Sequence, residues 1–412
     1  MSKKLRILLS AYACEPDKGS EPGVGWHWAL EIARLGHEVW VLTRENNIPV
    51  LERALIPYSD LRIHLVGYDL PQWMRRWKKS GRGIVLYYSM WQRGAYRVAR
   101  RLERANHFDL VHHITFGVYR QASLLGRLGV PLVLGPLGGG EKTPPLLLSS
   151  YPLRGILMEL VRSFSNLLAG FSPTLRQAFK QASVILCKTK ETLAEVPRAY
   201  RAKCLIMKEI GIEETLIMGA PTTSPHTPRF LYVGRLLYWK GVHLALQALA
   251  RVLKDSPDAR LTIVGAGQDE TWLREMADRL GIADAVEWMG GVPHEKVLNM
   301  YSEYTAFLFP SLHDSSGNVF MEALSQGLPV ICLDCGGPGA MLPSACGFKI
   351  EVEGRSQQEL VTGLSDAMQT IFTNSEVRAE MSAQALKASR ENTWRHVVSS
   401  AYRNIQDTLL SK

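Results

Sequence analysis

Short apolar runs alternate along the chain with longer stretches whose apolar positions recur every three or four residues, the patterns of buried strands and amphipathic helices. Residues 5–10 and 37–43 predict strands and residues 28–35 a helix that stops at Gly36, with a glycine-bearing loop at 19–26 between them. Strand, loop, helix and strand make a βαβ opening of the doubly wound kind. Further strands fall at 108–115, 130–134 and 183–187, around helical sequence at 145–181. Gly, Pro, Thr and Ser then crowd residues 211–228, which read as a linker. Beyond it the pattern restarts, with strands at 229–234, 261–267, 286–291, 306–309 and 330–333. A short helix sits between the last two, carried by Val319, Phe320, Ala323 and Leu324, with Ser315 and Ser316 as capping oxygens and Gly327 and Pro329 as the stop. The prediction is α/β throughout: a first domain at 1–211, a linker at 212–228, a second domain at 229–390 and a terminal segment at 391–412.

The 412 residues allow two ordinary domains, and 46% hydrophobic with 21% charged residues is a globular composition. A formal charge of +9 points to an anionic partner without choosing among phosphorylated small molecules, acidic lipid and nucleic acid, and no nucleic-acid-binding motif accompanies it. No apolar run approaches the roughly 18 residues of a membrane span. The first residues imitate a signal peptide, but Arg6 and a short apolar run favour a strand. Six cysteines include a single Cys-x-x-Cys spacing, Cys332 and Cys335, without a second pair, so reduced thiols in the cytosol are expected and no metal site.

Ligands of parallel sheets gather beyond the carboxyl ends of the strands. Arg235, Lys240, the loops at Gly265 and Gly290, and the helix after Asp314 therefore share one edge of the second sheet. Backbone N–H groups around Gly317, Asn318 and Val319 would hold an anion. Arg235 adds a planar fork and Lys240 a mobile point charge, so the group would surround a diphosphate. Asp314 and Glu322 flank it and would accept sugar hydroxyls; taken singly, Asp314 also suits a helix cap and Glu322 a solvated face. In the first half, Gly23 and Gly25 make either a tight turn or a ligand loop, because the full G-x-G-x-x-G spacing is missing. His112 and His113 are adjacent on a strand and point to opposite faces, so at most one reaches a cleft. Glu141, after a glycine run, either orients a ligand hydroxyl or caps the loop. Between Gln72 and Arg104 many basic and aromatic residues are interleaved, with Glu103 as the only acid. That segment suits a membrane surface or an anionic acceptor, and equally a solvated helix whose aromatics enter the core.

Gly234-Arg235 with Lys240-Gly241, and Asp314 followed by Glu322-Ala323, Gly327, Pro329-Val330 and Gly336-Gly337-Pro338, resemble the motifs of the family 4 retaining glycosyltransferases of GT-B fold. Ser10-Ala11-Tyr12-Ala13-Cys14-Glu15-Pro16 with Gly19-Ser20-Glu21-Pro22-Gly23-Val24-Gly25-Trp26 resembles the opening of one bacterial branch, so the likeness spans nearly the whole chain. It implies two facing Rossmann-like domains with parallel sheets and an interdomain cleft. The second would hold a nucleotide-sugar donor, a UDP- or GDP-sugar, and the first a glycan or lipid-linked acceptor. By the same resemblance Arg235 and Lys240 bind the diphosphate, Glu322 the ribose and Asp314 the transferred sugar. Gly317, Asn318 and Val319 complete the phosphate contacts, with Glu141, Gly265 and Gly290 beside the donor. Gly23 and Gly25 approach the phosphate from the first domain, His112 or His113 reaches the sugar, and the last helix crosses back to the first domain.

The family usually has glutamate at position 314, and an acidic residue often stands where this chain has Ala340. No Asp-x-Asp occurs, so cationic side chains rather than a metal are expected to stabilise the leaving group, and no cofactor is implied. Retaining transfer in cell-surface polysaccharide or glycolipid synthesis is expected, in the cytoplasm or at the inner face of the membrane with peripheral contact to anionic lipid. A GT-B sugar-nucleotide epimerase would share the fold and release product without an acceptor. A non-catalytic nucleotide-sugar or glycan-binding protein is the other alternative.

Overall fold

In the computed structural model the described residues are 4–75, 83–218 and 227–410. A first group of strands comprises β1 (Arg6–Ser10), β2 (Glu38–Thr43), β3 (Ile63–Gly67), β4 (Leu110–His113), β5 (Leu132–Leu137), β6 (Ala182–Cys187) and β7 (Cys204–Ile206). A second comprises β8 (Arg229–Val233), β9 (Arg260–Val264), β10 (Val286–Gly290), β11 (Ala306–Phe309), β12 (Val330–Leu333) and β13 (Gly347–Ile350). They form two parallel sheets, ordered β3-β2-β1-β4-β5-β6-β7 and β10-β9-β8-β11-β12-β13. The inner strands β4, β5, β11 and β12 are buried along their whole length, as their apolar runs require when both sheet faces are covered. Strand order reverses direction between β1 and β4 and again between β8 and β11. Those are the switch points where an α/β sheet opens a ligand crevice.

The chain divides into two compact units, one of Met1–Gly140, Ser165–Glu209 and Trp394–Lys412, the other of Glu141–Phe164 and Ile210–Thr393. Residues 141–164, expected in the first domain, group with the second. Leu147 and Tyr151 explain this, because both enter the second unit's core, where Tyr151 meets the Tyr238 ring edge-on at 4.8 Å. The last helix, Trp394–Leu410, groups with the first unit, where Trp394 stacks on His27 with ring centroids 4.4 Å apart. Of the expected linker, residues 219–226 lie outside the described residues; before them Ile212 pairs with Thr393 in a β-bridge.

Two further features differ from expectation, and a third follows one of two expected readings. Edge strands β3, β7 and β13 escaped the sequence pattern because they are short and only partly buried, so little apolar signal marks them. The glycine loop at 19–26 is helical instead, since the first helix begins at Ser20 and runs to Arg34. Gly23 and Gly25 lie in its first turns because the preceding loop presses on it: a Cβ would sit 2.1 Å from the Lys18 carbonyl oxygen at Gly23 and 2.1 Å from that of Ala13 at Gly25. The space that a side chain would need at either position is therefore taken by the chain's own backbone. In the basic aromatic segment, helix Ile84–Asn106 sends Tyr87, Tyr88 and Trp91 into the core and Arg93, Arg97, Arg100 and Arg104 to the surface. Arg76, Trp77, Lys78, Lys79 and Arg82 lie outside the described residues. No helix among the described residues is long and apolar enough to cross a membrane.

Gly25→Ala is expected to lose about 1–3 kcal/mol of stability by overpacking, read as a lower urea midpoint at unchanged slope. An unshifted midpoint would show that the helix can move off the loop.

Candidate functional site

The second unit gathers its chemistry at the β8–β11 switch point. Arg235 follows β8 directly and is exposed. Lys240 ends the short turn Tyr238–Lys240, and this turn is bound to the loop after β11: Leu312 N–H donates to the Trp239 carbonyl at 2.8 Å and the Ser311 hydroxyl donates to it at 3.2 Å. Only glycine fits at 241, where φ is +72° and a Cβ would lie 1.8 Å from the Pro310 carbonyl oxygen. The outcome is an ion pair, Lys240 Nζ donating to Asp314 Oδ2 at 2.6 Å, with both side chains about five-sixths buried. Asp314 is held from the other side too, since the Gly337 N–H donates to its carbonyl at 2.7 Å and a Cβ at 337 would meet the Ser315 backbone at 2.4 Å. Beneath them the Tyr232 phenol is pushed well up by burial and by Asp314, with Arg235 opposing.

The helix Asn318–Ser325 starts at Gly317 with no side-chain cap, so Ser315 and Ser316 do not fill the role expected of them. Uncapped N–H groups at Asn318 and Val319 therefore keep their electrostatic pull on an anion. One turn on, Glu322 is only 7% exposed rather than on a solvated face. Its Oε1 lies 3.0 Å from His294 Nε2, and its Oε2 accepts from the Tyr301 hydroxyl at 3.1 Å. The hydrogen bond to Glu322 raises the His294 pKa above its ordinary value, against partial burial. Gly265 and Gly290 sit on the same edge, the Gly265 N–H donating to the Gly290 carbonyl at 2.7 Å, and a Cβ at 290 would meet open space.

Glu141, expected in the first domain, belongs here instead: it is buried, its carbonyl accepts from Arg162 at 2.6 Å, and its Cγ would lie 3.3 Å from a Cβ at Gly336. Sequence reasoning missed His294 and Tyr301, and also His313, which stacks on Trp239 with centroids 5.1 Å apart and lies 3.1 Å from buried Glu159. The signal available for His294 was its position just past the end of β10.

The first unit's histidines are deep in its core. His112 Nε2 donates to the Gly135 carbonyl at 2.8 Å, so its Nδ1 accepts from the Tyr402 hydroxyl at 3.0 Å. His113 lies 2.9 Å from the Tyr88 hydroxyl, 3.1 Å from the Thr115 carbonyl and 3.0 Å from the Ser123 hydroxyl. Burial lowers both pKa values to about 4. Neither ring therefore carries charge at neutral pH, and the ring atoms that a sugar would need are occupied by the chain itself. The expectation that one of them reaches a substrate has no support in these contacts.

Fold and site together define a class. The two-unit α/β architecture is GT-B, and residues 217–388 match the family described as Glycosyl transferases group 1. Its relatives include a glycogen synthase of Mycobacterium tuberculosis, 36% identical over 29% of this chain and 28% of the relative. A D-inositol 3-phosphate glycosyltransferase of Corynebacterium urealyticum is 26% identical over 53% of this chain and 55% of the relative. The chain thus spans at most about half of these curated relatives. Among solved structures, Anabaena Alr3699/HepE in complex with UDP and glucose superposes with a TM-score of 0.60, 15% identity and 99% and 100% coverage of the two chains, a likeness of fold.

Lys240→Met leaves the Asp314 carboxylate buried without its cation and is expected to cost about 3 kcal/mol. The double variant Lys240→Met/Asp314→Asn should recover most of that loss in urea denaturation, and no recovery would rule out the pair as its source. The His294 ring should titrate by NMR above the ordinary histidine value of about 6.5 and return to it in Glu322→Gln. Because the folded value is the raised one, the pair's contribution is complete below about pH 6.5 and fades as pH rises through the folded value.

Proposed function

We propose that the chain is a retaining, metal-independent glycosyltransferase that moves a hexose from a UDP- or GDP-sugar to a glycan or lipid-linked acceptor. The observation that carries this reading is the convergence of exposed Arg235, Lys240 and the uncapped helix start at Gly317 on one switch point, with Glu322 held rigidly one turn away. Arg235 and Lys240 neutralise the leaving diphosphate as charge builds on it, assisted by the N–H groups of Asn318 and Val319. Lys240 has three donors, so it keeps Asp314 and still reaches a phosphate oxygen. Glu322 accepts the ribose hydroxyls, because two partners fix its carboxylate in place. Asp314, anchored through backbone and side chain, faces a hydroxyl of the transferred sugar. The acceptor attacks from the face the diphosphate leaves, and its proton passes to the leaving phosphate. We place the reaction in the cytoplasm, at the inner face of the membrane, in cell-surface polysaccharide or glycolipid synthesis. Support comes from the group 1 family match and from the UDP and glucose held by the Anabaena protein of the same fold.

The test is a donor panel followed by NMR of the product, which should retain the donor's anomeric configuration. An inverted anomer would sink the mechanism. Arg235→Ala should lower kcat by about 10²- to 10³-fold with an unchanged unfolding midpoint, since the side chain is exposed. Wild-type turnover in that variant would refute the site.

A further inference from the structure

Over residues 153–164, helix Leu153–Gly170 carries its polarity the opposite way round from a surface helix. Leu153, Leu157, Leu160 and Phe164 form an apolar row that faces outward, each between 58% and 86% exposed. Steps of four and three residues hold that row on one side. The opposite side is turned inward and carries Glu159, which is only 6% exposed. Gly155 lets this side approach, since a Cβ there would come within 2.9 Å of the Tyr238 ring. Burial of leucines would reverse such an orientation, so it is set by what the polar side meets, and departures of this kind from the apolar pattern mark functional sites.

Glu159 meets two loops at one oxygen. Its Oε1 accepts from the Tyr238 hydroxyl at 3.0 Å and lies 3.1 Å from His313 Nε2, while Arg162 Nη1 lies 3.8 Å from Oε2. Against burial, His313 and Arg162 hold its carboxyl below the ordinary carboxylate range, so it is ionised. Tyr238 opens the turn that ends at Lys240, and His313 precedes Asp314 in the chain. The two strips meet at three successive levels: Tyr238 and His313 on Glu159, the Trp239 ring on the His313 ring with centroids 5.1 Å apart, and Lys240 on Asp314 at 2.6 Å. The last level is the ion pair of the candidate site, and the first closes the opposite end.

We propose that Glu159 is a positioning residue of the donor site, clamping the turn Tyr238–Lys240 to residues 313–314 so that the Lys240 ammonium stands at a phosphate, an assignment that rests on the donor reading of this edge. Lys240 is tied to Asp314, the group on the side of the transferred sugar, so the phosphate it serves is the one that carries the sugar. Charge builds on that phosphate as its bond to the sugar breaks, where a fixed cation is worth most. A lysine side chain is flexible, so its ammonium keeps one place only where the backbone on both sides of the pair is fixed. Glu159 acts through the turn and not on the donor itself. Its field works in the opposite sense to its positioning: a nearby carboxylate repels a diphosphate, so removing it would tighten binding unless the turn moves.

The test is calorimetry of UDP and GDP, each beside its monophosphate, with the full chain and its variants. Glu159→Leu should bind the diphosphate about tenfold more weakly, and should bind the monophosphate, which lacks the second phosphate, nearly as the wild type does. Glu159→Gln keeps an oxygen for both partners and should restore most of the loss. Tyr238→Phe removes one hydroxyl and keeps the ring in its packing, so it should show the same selective loss in smaller measure and reports on the clamp even if Glu159→Leu unfolds. Full or tighter diphosphate binding in the Glu159→Leu and Tyr238→Phe variants would overturn the assignment and leave the donor reading standing. So would an equal loss for diphosphate and monophosphate, the mark of general loosening. A wild type that binds neither diphosphate would remove the donor reading itself, and the assignment with it.

Discussion

Backbone pressed on backbone at the strand ends is the constraint on which the second unit's chemistry depends. Without side chains at 241 and 337, the turn after β8 lies on Pro310 and the turn after β12 lies on Ser315. Three loops distant in sequence are thereby locked to one another by main-chain contacts, which leave little rotamer freedom to lose. The Lys240–Asp314 pair at 2.6 Å follows from that locking more than from its own attraction. A partly buried ion pair pays heavily for desolvation, so geometry supplied by the scaffold is what makes it favourable.

Charge balance explains how an anion site tolerates carboxylates. Two carboxylates beside a diphosphate would repel it across a medium of modest dielectric. Here Asp314 is neutralised by Lys240, and Glu322 is bonded to His294, whose raised pKa favours the protonated ring. Among the described residues, the exposed Arg235 guanidinium and the helix start at Gly317 add positive potential at that edge. The carboxylates keep their capacity to accept hydroxyl hydrogen bonds while contributing little net repulsion. That combination suits a ligand with phosphates in the middle and hydroxyl-bearing groups on both sides.

Much of this was legible in the sequence where the signal is local. Strand runs such as Ala306–Phe309 and Val330–Leu333 state their own burial, and Arg235, Lys240, Asp314 and Glu322 stand at informative spacings beside turns. What was not legible depends on pairing across the fold. His294 lies 28 residues from Glu322, and its place just past β10 marks the edge it joins but not the partner it meets. His112 and His113 looked available because a strand alternates its side chains, but an α/β sheet is covered on both faces, so alternation sends one ring to each layer of core. Residues 19–26 read as a loop because glycine serves a loop and a close helix–loop contact alike. Edge strands, only half covered, leave too weak a pattern to detect.

Helix Leu153–Gly170 shows the same limit in its sharpest form. Periodicity states that a helix has two faces, but not which one turns inward. Apolar burial would turn the leucines in. The opposite holds because the polar face finds specific partners: burial alone would raise the Glu159 pKa, yet His313, Arg162 and Tyr238 together hold it below the ordinary carboxylate value. A buried charge so well satisfied costs little to keep. Leaving the apolar row in water is then the greater sacrifice, at roughly 25 cal/mol per Å². The polar cluster next to Asp314 and the unburied leucines are therefore two sides of one choice, in which the helix supports the site with its polar face and leaves its apolar face to the surroundings.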